Sequence, residues 1–172
     1  MKPITRHCGS KMTKALPAEE LRRAYAYDAD SGKFTRIDGR YWKNGYIDRK
    51  GYLVITCGGT RYFAHRVAWL FYTGVDPGSF EIDHINRDRS DNRIANLRLA
   101  TDVENKWNRP KRSSNTTGFK GVIHRPKQKD WVAVIHANGK AHHLGLFQSP
   151  EEASQAYRTA AIRLHGEFAR FE

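Results

Sequence analysis

An aspartate–histidine pair and two downstream asparagines are the residues of this sequence best suited to chemistry. Asp83 and His84 are adjacent, Asn96 follows His84 by twelve residues, and Asn105 follows it by twenty-one. A neutral imidazole can accept a proton from an attacking water. Carboxylate and amide oxygens are hard ligands for Mg²⁺, which can neutralise a scissile phosphate and its leaving oxygen. The set therefore suits metal-dependent hydrolysis of a phosphodiester; a purely structural Asp-His pair is the alternative.

A strand–loop–strand–helix unit is predicted to position these side chains. Glu81–Asn86 favours a strand, residues 87–91 a polar loop, and Asn96–Ala100 a second strand. The capping box Thr101-Asp-Val-Glu104 then predicts the start of a short helix.

The predicted helix and the first strand determine the directions in which the candidate ligands point. Val103 and Trp107 are four residues apart and are expected to pack inward, which would turn Asn105 toward an exposed cleft. Neighbours on a regular strand point to opposite faces. Asp83 and His84 can therefore face one ion only if the strand twists or ends at them.

The rest of the first half reads as small β-strands between two helices. Gly74 is suited to end the second helix, because glycine readily adopts the left-handed conformation at that position. The predicted elements are a helix over Pro17–Tyr27, strands over Lys33–Ile37, Tyr52–Cys57 and Arg61–Phe63, and a helix over Ala64–Tyr72.

The last third predicts a three-stranded antiparallel sheet with a helix on one face. Strands are expected over Lys120–Arg125, Trp131–Ala137 and His142–Phe147. Ser149 begins a second capping box, and the helix after it carries one apolar stripe and ends at Gly166. Together the elements predict a two-domain α+β protein.

The charge of the chain indicates a polyanionic partner. Thirty Lys and Arg residues face 18 Asp and Glu, which gives a formal net charge of +12. Between residues 106 and 129 there are eight Lys or Arg and no acidic residue. This stretch includes a polar segment without apolar periodicity, so we predict domains at 1–108 and 119–172 joined by a basic linker at 109–118. A charged surface that only confers solubility is the alternative.

Several classes of protein are excluded. No apolar run is long enough for a membrane span, and the N-terminus has no apolar segment typical of a secretory signal. Cys8 and Cys57 are the two cysteines, so a disulfide framework is excluded and a structural zinc site is not expected. We therefore expect the cytoplasm of a bacterial or phage-infected cell, with no targeting signal.

Two stretches carry a resemblance to a known nuclease family. The segments AHRVAWLF and EIDHINRDRSDNRIANLRLATDVENKWN resemble the HNH homing endonucleases, particularly the phage intron-type enzymes with an HNN variant. The resemblance implies a ββα-metal domain in which His84 is the general base and Asp83 and Asn105 are the metal ligands. It implies that Asn96 braces the loop and orients the base. Many relatives have a histidine where this chain has Asn105, which favours Mg²⁺ or Mn²⁺ over zinc or nickel.

The C-terminal region is similar to another family. The segments GFKGVIHRP, WVAVI, HHLGLF and SPEEASQAYRTAAIRLHGEFA resemble the AP2 DNA-binding domain, whose three-stranded sheet lies in the major groove. The resemblance puts seven residues on the groove-facing side, whereas strand alternation alone leaves the register of the first strand open. These residues are Lys120, Ile123, Arg125, Val134, His136, Ala141 and His143.

Double-stranded DNA is therefore the expected partner, bound by a monomer. Basic residues of three regions are candidate contacts: the N-terminal sheet, the linker and the C-terminal sheet. They are Arg40, Lys43, Arg49, Lys50, Arg109, Lys111, Arg112, Lys120, Arg125, Lys127, His136 and His143.

The function predicted from these features is a site-specific, homing-type DNA endonuclease that nicks one strand more readily than it cuts both. The second domain would raise the concentration of the nuclease at one site. A sequence-specific DNA-binding regulator without catalytic activity is the alternative, and an RNA-binding module is a weaker one. His65 is expected to be a packing residue, and Arg66 could contact phosphate or pair internally.

Overall fold

The computed structural model describes residues 15–38 and 45–171, and candidate contacts Arg40 and Lys43 lie outside the described residues. The chain divides into two compact units, residues 1–101 and 102–172. The first contains α1 (Ala18–Ala24), β1 (Tyr25–Tyr27), β2 (Phe34–Arg36), β3 (Tyr46–Ile47), β4 (Leu53–Cys57), β5 (Thr60–Phe63), α2 (Ala64–Thr73), β6 (Glu81–His84) and β7 (Leu97–Ala100). The second contains α3 (Asp102–Trp107), β8 (Val122–Arg125), β9 (Asp130–Ala137), β10 (Lys140–Phe147) and α4 (Pro150–His165).

Small antiparallel sheets and two helices share one core in the first unit. β1 pairs with β2, β3–β4–β5 form a second sheet, and β6 pairs with β7. Leu21 of α1, Ile55 of β4 and Val67 of α2 are completely buried. Ile82 and Leu97 join the same cluster, so the core fixes the β6–β7 hairpin that carries the candidate catalytic residues.

The first helix is shorter than the sequence predicts. It ends at Ala24, and Tyr25–Tyr27 form strand β1 instead of a last helical turn. Aromatic residues suit strands, and both tyrosines gain distant partners there. The Tyr25 hydroxyl donates to the carbonyl of Thr56 at 3.0 Å, and the Tyr27 hydroxyl donates to that of Asn92 at 2.7 Å. These tertiary bonds override the helical pattern.

In the second unit, helix α4 covers one face of the β10–β9–β8 sheet. The helix begins with the predicted cap, since the Ser149 hydroxyl accepts a hydrogen bond from the Glu152 backbone N–H at 3.2 Å. Gly121 lies against this helix with a φ of +73°, and a Cβ at this position would come within 2.2 Å of the Tyr157 ring. Close approach of sheet and helix therefore requires glycine here.

The prediction of a mixed α+β protein with small antiparallel sheets is confirmed. Among the described residues, no helix is long and apolar enough to cross a membrane.

Candidate active site

The β6–β7 hairpin holds the predicted Asp-His pair at the end of a strand. Asp83 is paired with Arg98 and His84 with Leu97 in the antiparallel register. Strand β6 ends at His84, and the Asp83 and His84 side chains are both buried, at 6% and 4% exposure. The strand thus ends at the Asp-His pair, as it must if both side chains are to face the same ion.

Arg98 is a partner of Asp83 that the sequence analysis did not identify. Its Nε and Nη2 donate to Oδ2 of Asp83 at 2.9 and 2.7 Å, and both side chains are almost fully buried. A guanidinium that donates twice to a carboxylate restrains its rotation. Arg98 therefore holds Asp83 in one orientation.

Asn96 connects both ends of the loop that follows His84. Its Oδ1 accepts a hydrogen bond from the Asn86 backbone N–H at 2.9 Å, and its Nδ2 donates to the Asp91 carbonyl at 2.9 Å. Its own carbonyl accepts from the Ile85 N–H at 2.9 Å. The carboxamide is thus used within the protein, and the assignment of Asn96 as an orienting residue stays a prediction.

The environment of His84 favours its neutral form. Burial lowers the pKa of the imidazole, and the side chain of Asn92 and the carboxylate of Asp83 oppose this shift. Asn92 is almost completely buried, and its Nδ2 donates to the Ser90 carbonyl at 2.9 Å. The lowered pKa leaves His84 unprotonated at neutral pH, as a general base must be. The contact between Asn92 and His84 spans the loop, so local sequence patterns do not predict it.

A second histidine lies against His84. The rings of His65 and His84 are 5.1 Å apart and meet edge to face, and Tyr52 contacts both rings. Phe63 stacks on His65 at 5.5 Å. The Nδ1 atom of His65 is buried without a hydrogen bond. Burial, with smaller contributions from His84 and Arg66, lowers the pKa of His65 to about 3.

His65 predicts a pH dependence of stability. In the unfolded chain its pKa is 6.5, so between pH 6.5 and about 3 the unfolded state binds a proton that the folded state does not. The contribution of His65 to the free energy of unfolding therefore does not change with pH above 6.5, and it decreases as the pH falls from 6.5 toward about 3. His65→Phe should weaken the fall in unfolding free energy below pH 6.5, measured by urea denaturation at a series of pH values. His84 and His165 will leave a residual slope; a slope equal to that of the wild type would contradict the assignment.

The two candidate metal ligands lie in different units. Asp83 belongs to the first unit, and Asn105, which is half-buried, lies on α3 in the second. Val103 is 48% exposed, so the expected inward packing of Val103 is wrong; the six-residue helix packs through Trp107 instead. Among residues 15–38 and 45–171, no group of three or more His, Cys, Asp or Glu could hold a metal ion.

Two basic candidates for DNA contact have partners within the protein. The ammonium of Lys120 donates to the carbonyls of Trp107 and Arg109, both at 2.7 Å. Arg125 pairs with Asp130, with Nε donating to Oδ1 at 2.7 Å. Arg66, which the sequence left undecided, donates to two backbone carbonyls of its own unit.

The other described candidates are exposed. They are Arg49, Lys50, Arg109, Lys111, Arg112, Lys127, His136 and His143. Arg89 is a further cation near the hairpin: its guanidinium lies 4.8 Å from the Tyr52 ring centre and donates to the Lys50 carbonyl at 2.8 Å.

The register of the second sheet settles which side chains share its outer face. Ala133, Ile135 and Ala137 of β9 are buried toward α4, so the residues between them point away from the helix. Cross-strand partners share a face of a sheet. The outer face therefore carries Ile123, Arg125, Val134, His136, Ala141 and His143.

Comparisons with known proteins indicate the class of the protein. A family model described as HNH endonuclease matches residues 62–106, which span α2, the β6–β7 hairpin and most of α3. The chain is 36% identical to Protein 3.8 of Escherichia phage T7 over 107 residues, covering 62% of this chain and 88% of that protein. The chain therefore belongs to the HNH endonuclease family.

Two further relatives match stretches of different length. An uncharacterized HNH endonuclease of Acanthamoeba polyphaga mimivirus is 31% identical over 124 residues, which is 72% of this chain and 64% of that protein. An AP2/ERF and B3 domain-containing transcription factor of Arabidopsis thaliana is 45% identical over 51 residues, which is 30% of this chain and 14% of the plant protein. No solved structure matches the chain.

Proposed function

We propose that this protein is a site-specific, homing-type endonuclease that hydrolyses one phosphodiester of double-stranded DNA with Mg²⁺ or Mn²⁺. The observation that carries the proposal is the β6–β7 hairpin, which buries Asp83 and His84 side by side at the end of a strand. This hairpin lies within the stretch that matches the HNH endonuclease family.

In the proposed reaction, His84 accepts a proton from the water that attacks phosphorus. Its burial and lowered pKa keep the imidazole neutral and ready to do so. Arg98 holds the Asp83 carboxylate, and Asn96 braces the loop beyond His84. In-line attack would leave a 5′-phosphate and a 3′-hydroxyl.

Asp83 and Asn105 are the residues proposed to hold the cation. When bound, a hard divalent cation stabilises the charge that develops on the phosphate and the leaving oxygen. One carboxylate with one amide oxygen fits Mg²⁺ or Mn²⁺, since such ions bind few protein ligands and complete their shell with water and substrate phosphate.

The second unit is proposed to be an AP2-like DNA reader. Its support is the similarity to the plant AP2/ERF protein and the composition of the outer face of β8–β10. His136 and His143 are exposed there, and Lys127 lies at the turn that follows β8. Arg125 is the arginine among the outer-face residues, and its guanidinium is paired with Asp130, so sequence readout through bidentate arginine contacts would be limited.

We further propose that the enzyme acts as a monomer on an asymmetric site. A single active site meets one strand at a time, so nicking should precede double-strand cleavage. Arg49, Lys50, Arg109, Lys111 and Arg112 are the exposed cations proposed to contact phosphates. The similarity to a protein of Escherichia phage T7 supports a phage-infected host cell as the proposed setting.

A plasmid assay tests the proposed activity. The protein should convert supercoiled plasmid that carries candidate target sites to open circles with Mg²⁺ or Mn²⁺ and should fail to do so with EDTA, since the reaction requires the cation. Ligation of the nicks without prior end repair would identify 5′-phosphate and 3′-hydroxyl ends. If plasmids that carry the candidate sites all stay supercoiled with either metal, the proposal is contradicted.

The second candidate function is a DNA-binding regulator without nuclease activity. The match to a plant transcription factor favours this candidate. A regulator would bind duplex DNA with a steep dependence on salt concentration but would not relax plasmid. The same plasmid assay combined with a salt titration of binding therefore separates the two functions.

A further inference from the structure

Helix α3 is too short to be stable by itself. It spans Asp102–Trp107, and helices of this length are marginal in water without tertiary packing. It carries Asn105, which the proposed function makes a metal ligand. The position of the Asn105 side chain therefore depends on the contacts that hold α3 in place.

The contacts described for α3 come from the second unit, to which it belongs. The Trp107 indole stacks on the imidazole of His165, with ring centres 4.3 Å apart and planes at 11°. His165 is the last residue of α4 and is 5% exposed. The short 3-10 helix Gly166–Phe168, which follows α4, also packs against α3.

His165 is itself fixed by the sheet. Its Nε2 lies 2.9 Å from the backbone carbonyl of His136 in β9. A carbonyl can only accept, so Nε2 carries the hydrogen and the ring orientation is set. Burial lowers the pKa of His165, which keeps the stacked ring neutral.

A second contact holds the C-terminal end of the helix. The ammonium of Lys120 donates to the carbonyls of Trp107 and Arg109 at 2.7 Å each. A cation at this end satisfies carbonyls that have no helical partner and opposes the negative end of the helix dipole. Lys120 immediately precedes Gly121, which is pressed against Tyr157 of α4, so its backbone is well anchored.

We propose that the second unit is part of the catalytic machinery, because Lys120 and His165 position α3 and thereby the metal ligand Asn105. This inference rests on the proposed function. It gives Lys120 a role as a positioning residue instead of a DNA contact. It also predicts that the C-terminal sheet and helix are needed for cleavage of DNA at any sequence, beyond their proposed role in site selection.

The test uses the full chain with Lys120→Met and His165→Leu. Arg163→Met is the control, since it removes one positive charge from an exposed position of α4. For each protein we would measure the nicking rate at saturating DNA, the Mg²⁺ concentration for half-maximal nicking, DNA affinity, and amide hydrogen exchange of residues 102–109.

Lys120→Met and His165→Leu should slow nicking by about ten- to a hundredfold, as expected for a small displacement of a catalytic group. They should also raise the Mg²⁺ requirement and speed exchange in α3, while exchange in the body of α4 stays slow. DNA affinity should fall no more than in Arg163→Met. A structural role alone would not change the metal requirement.

Three results would overturn the inference. Unchanged exchange in α3 would show that these residues do not hold the helix, whatever the activity. Faster exchange with unchanged nicking and metal requirement would show that the position of α3 does not matter. A wild-type protein that does not nick with either metal would remove the proposed function first and the inference with it, which distinguishes the two failures.

Discussion

His84→Gln is expected to reduce Mg²⁺-dependent nicking by about a hundredfold or more, the usual contribution of a general base. Glutamine cannot accept a proton near neutral pH, although it fills much of the space of the buried imidazole. DNA affinity should stay near that of the wild type, because a buried side chain contributes little to phosphate contacts. Plasmid relaxation and binding should therefore separate in this variant.

His142→Gln is the matched control for this experiment. It makes the same change at an exposed histidine of β10 that has no proposed role in catalysis or binding. The control should nick at the wild-type rate. Nicking by His84→Gln at a rate equal to that of His142→Gln would contradict the assignment of the general base.

Asp83→Ala is expected to abolish metal-dependent nicking and also to destabilise the protein. Removal of the carboxylate takes away the ion pair of a guanidinium that is 10% exposed, and breaking a buried ion pair costs about 3–5 kcal/mol. The loss of stability complicates a single variant, because weak nicking could reflect unfolding alone. Urea denaturation would measure this loss directly.

A double variant separates the two roles of Asp83. Asp83→Ala combined with Arg98→Met removes both charges, so unfolding free energy should recover substantially. Nicking should stay absent, since the proposed ligand is missing. If the double variant recovers both stability and nicking, Asp83 acts only through its ion pair and is not a metal ligand.

The sequence predicted the local features of the active site well. The segments Glu81–Asn86 and Asn96–Ala100 predicted two strands joined by a loop, and the structure forms that hairpin with slightly shorter strands, Glu81–His84 and Leu97–Ala100. Gly74 ends α2 in the left-handed conformation, as expected. These features depend on turn chemistry and on neighbours close in the chain, which the sequence displays directly.

The missed partners are all distant in sequence or depend on register. Arg98 meets Asp83 because of the pairing of β6 with β7, and a slip by one residue would have exchanged that partner. An ammonium can donate equally well to a phosphate or to a carbonyl. The residues next to Lys120 in the sequence therefore could not show which of these two partners it has. Its two carbonyl partners lie thirteen and eleven residues away.

A crystal structure of the protein bound to nicked or uncleaved duplex DNA with Mn²⁺ tests the central claim most directly. The anomalous signal of the ion should lie about 2.1 Å from both the Asp83 carboxylate and the Asn105 amide oxygen, beside a backbone phosphate. An ion held elsewhere, or an Asn105 oxygen turned away from an ion on Asp83, would contradict the proposed catalytic centre.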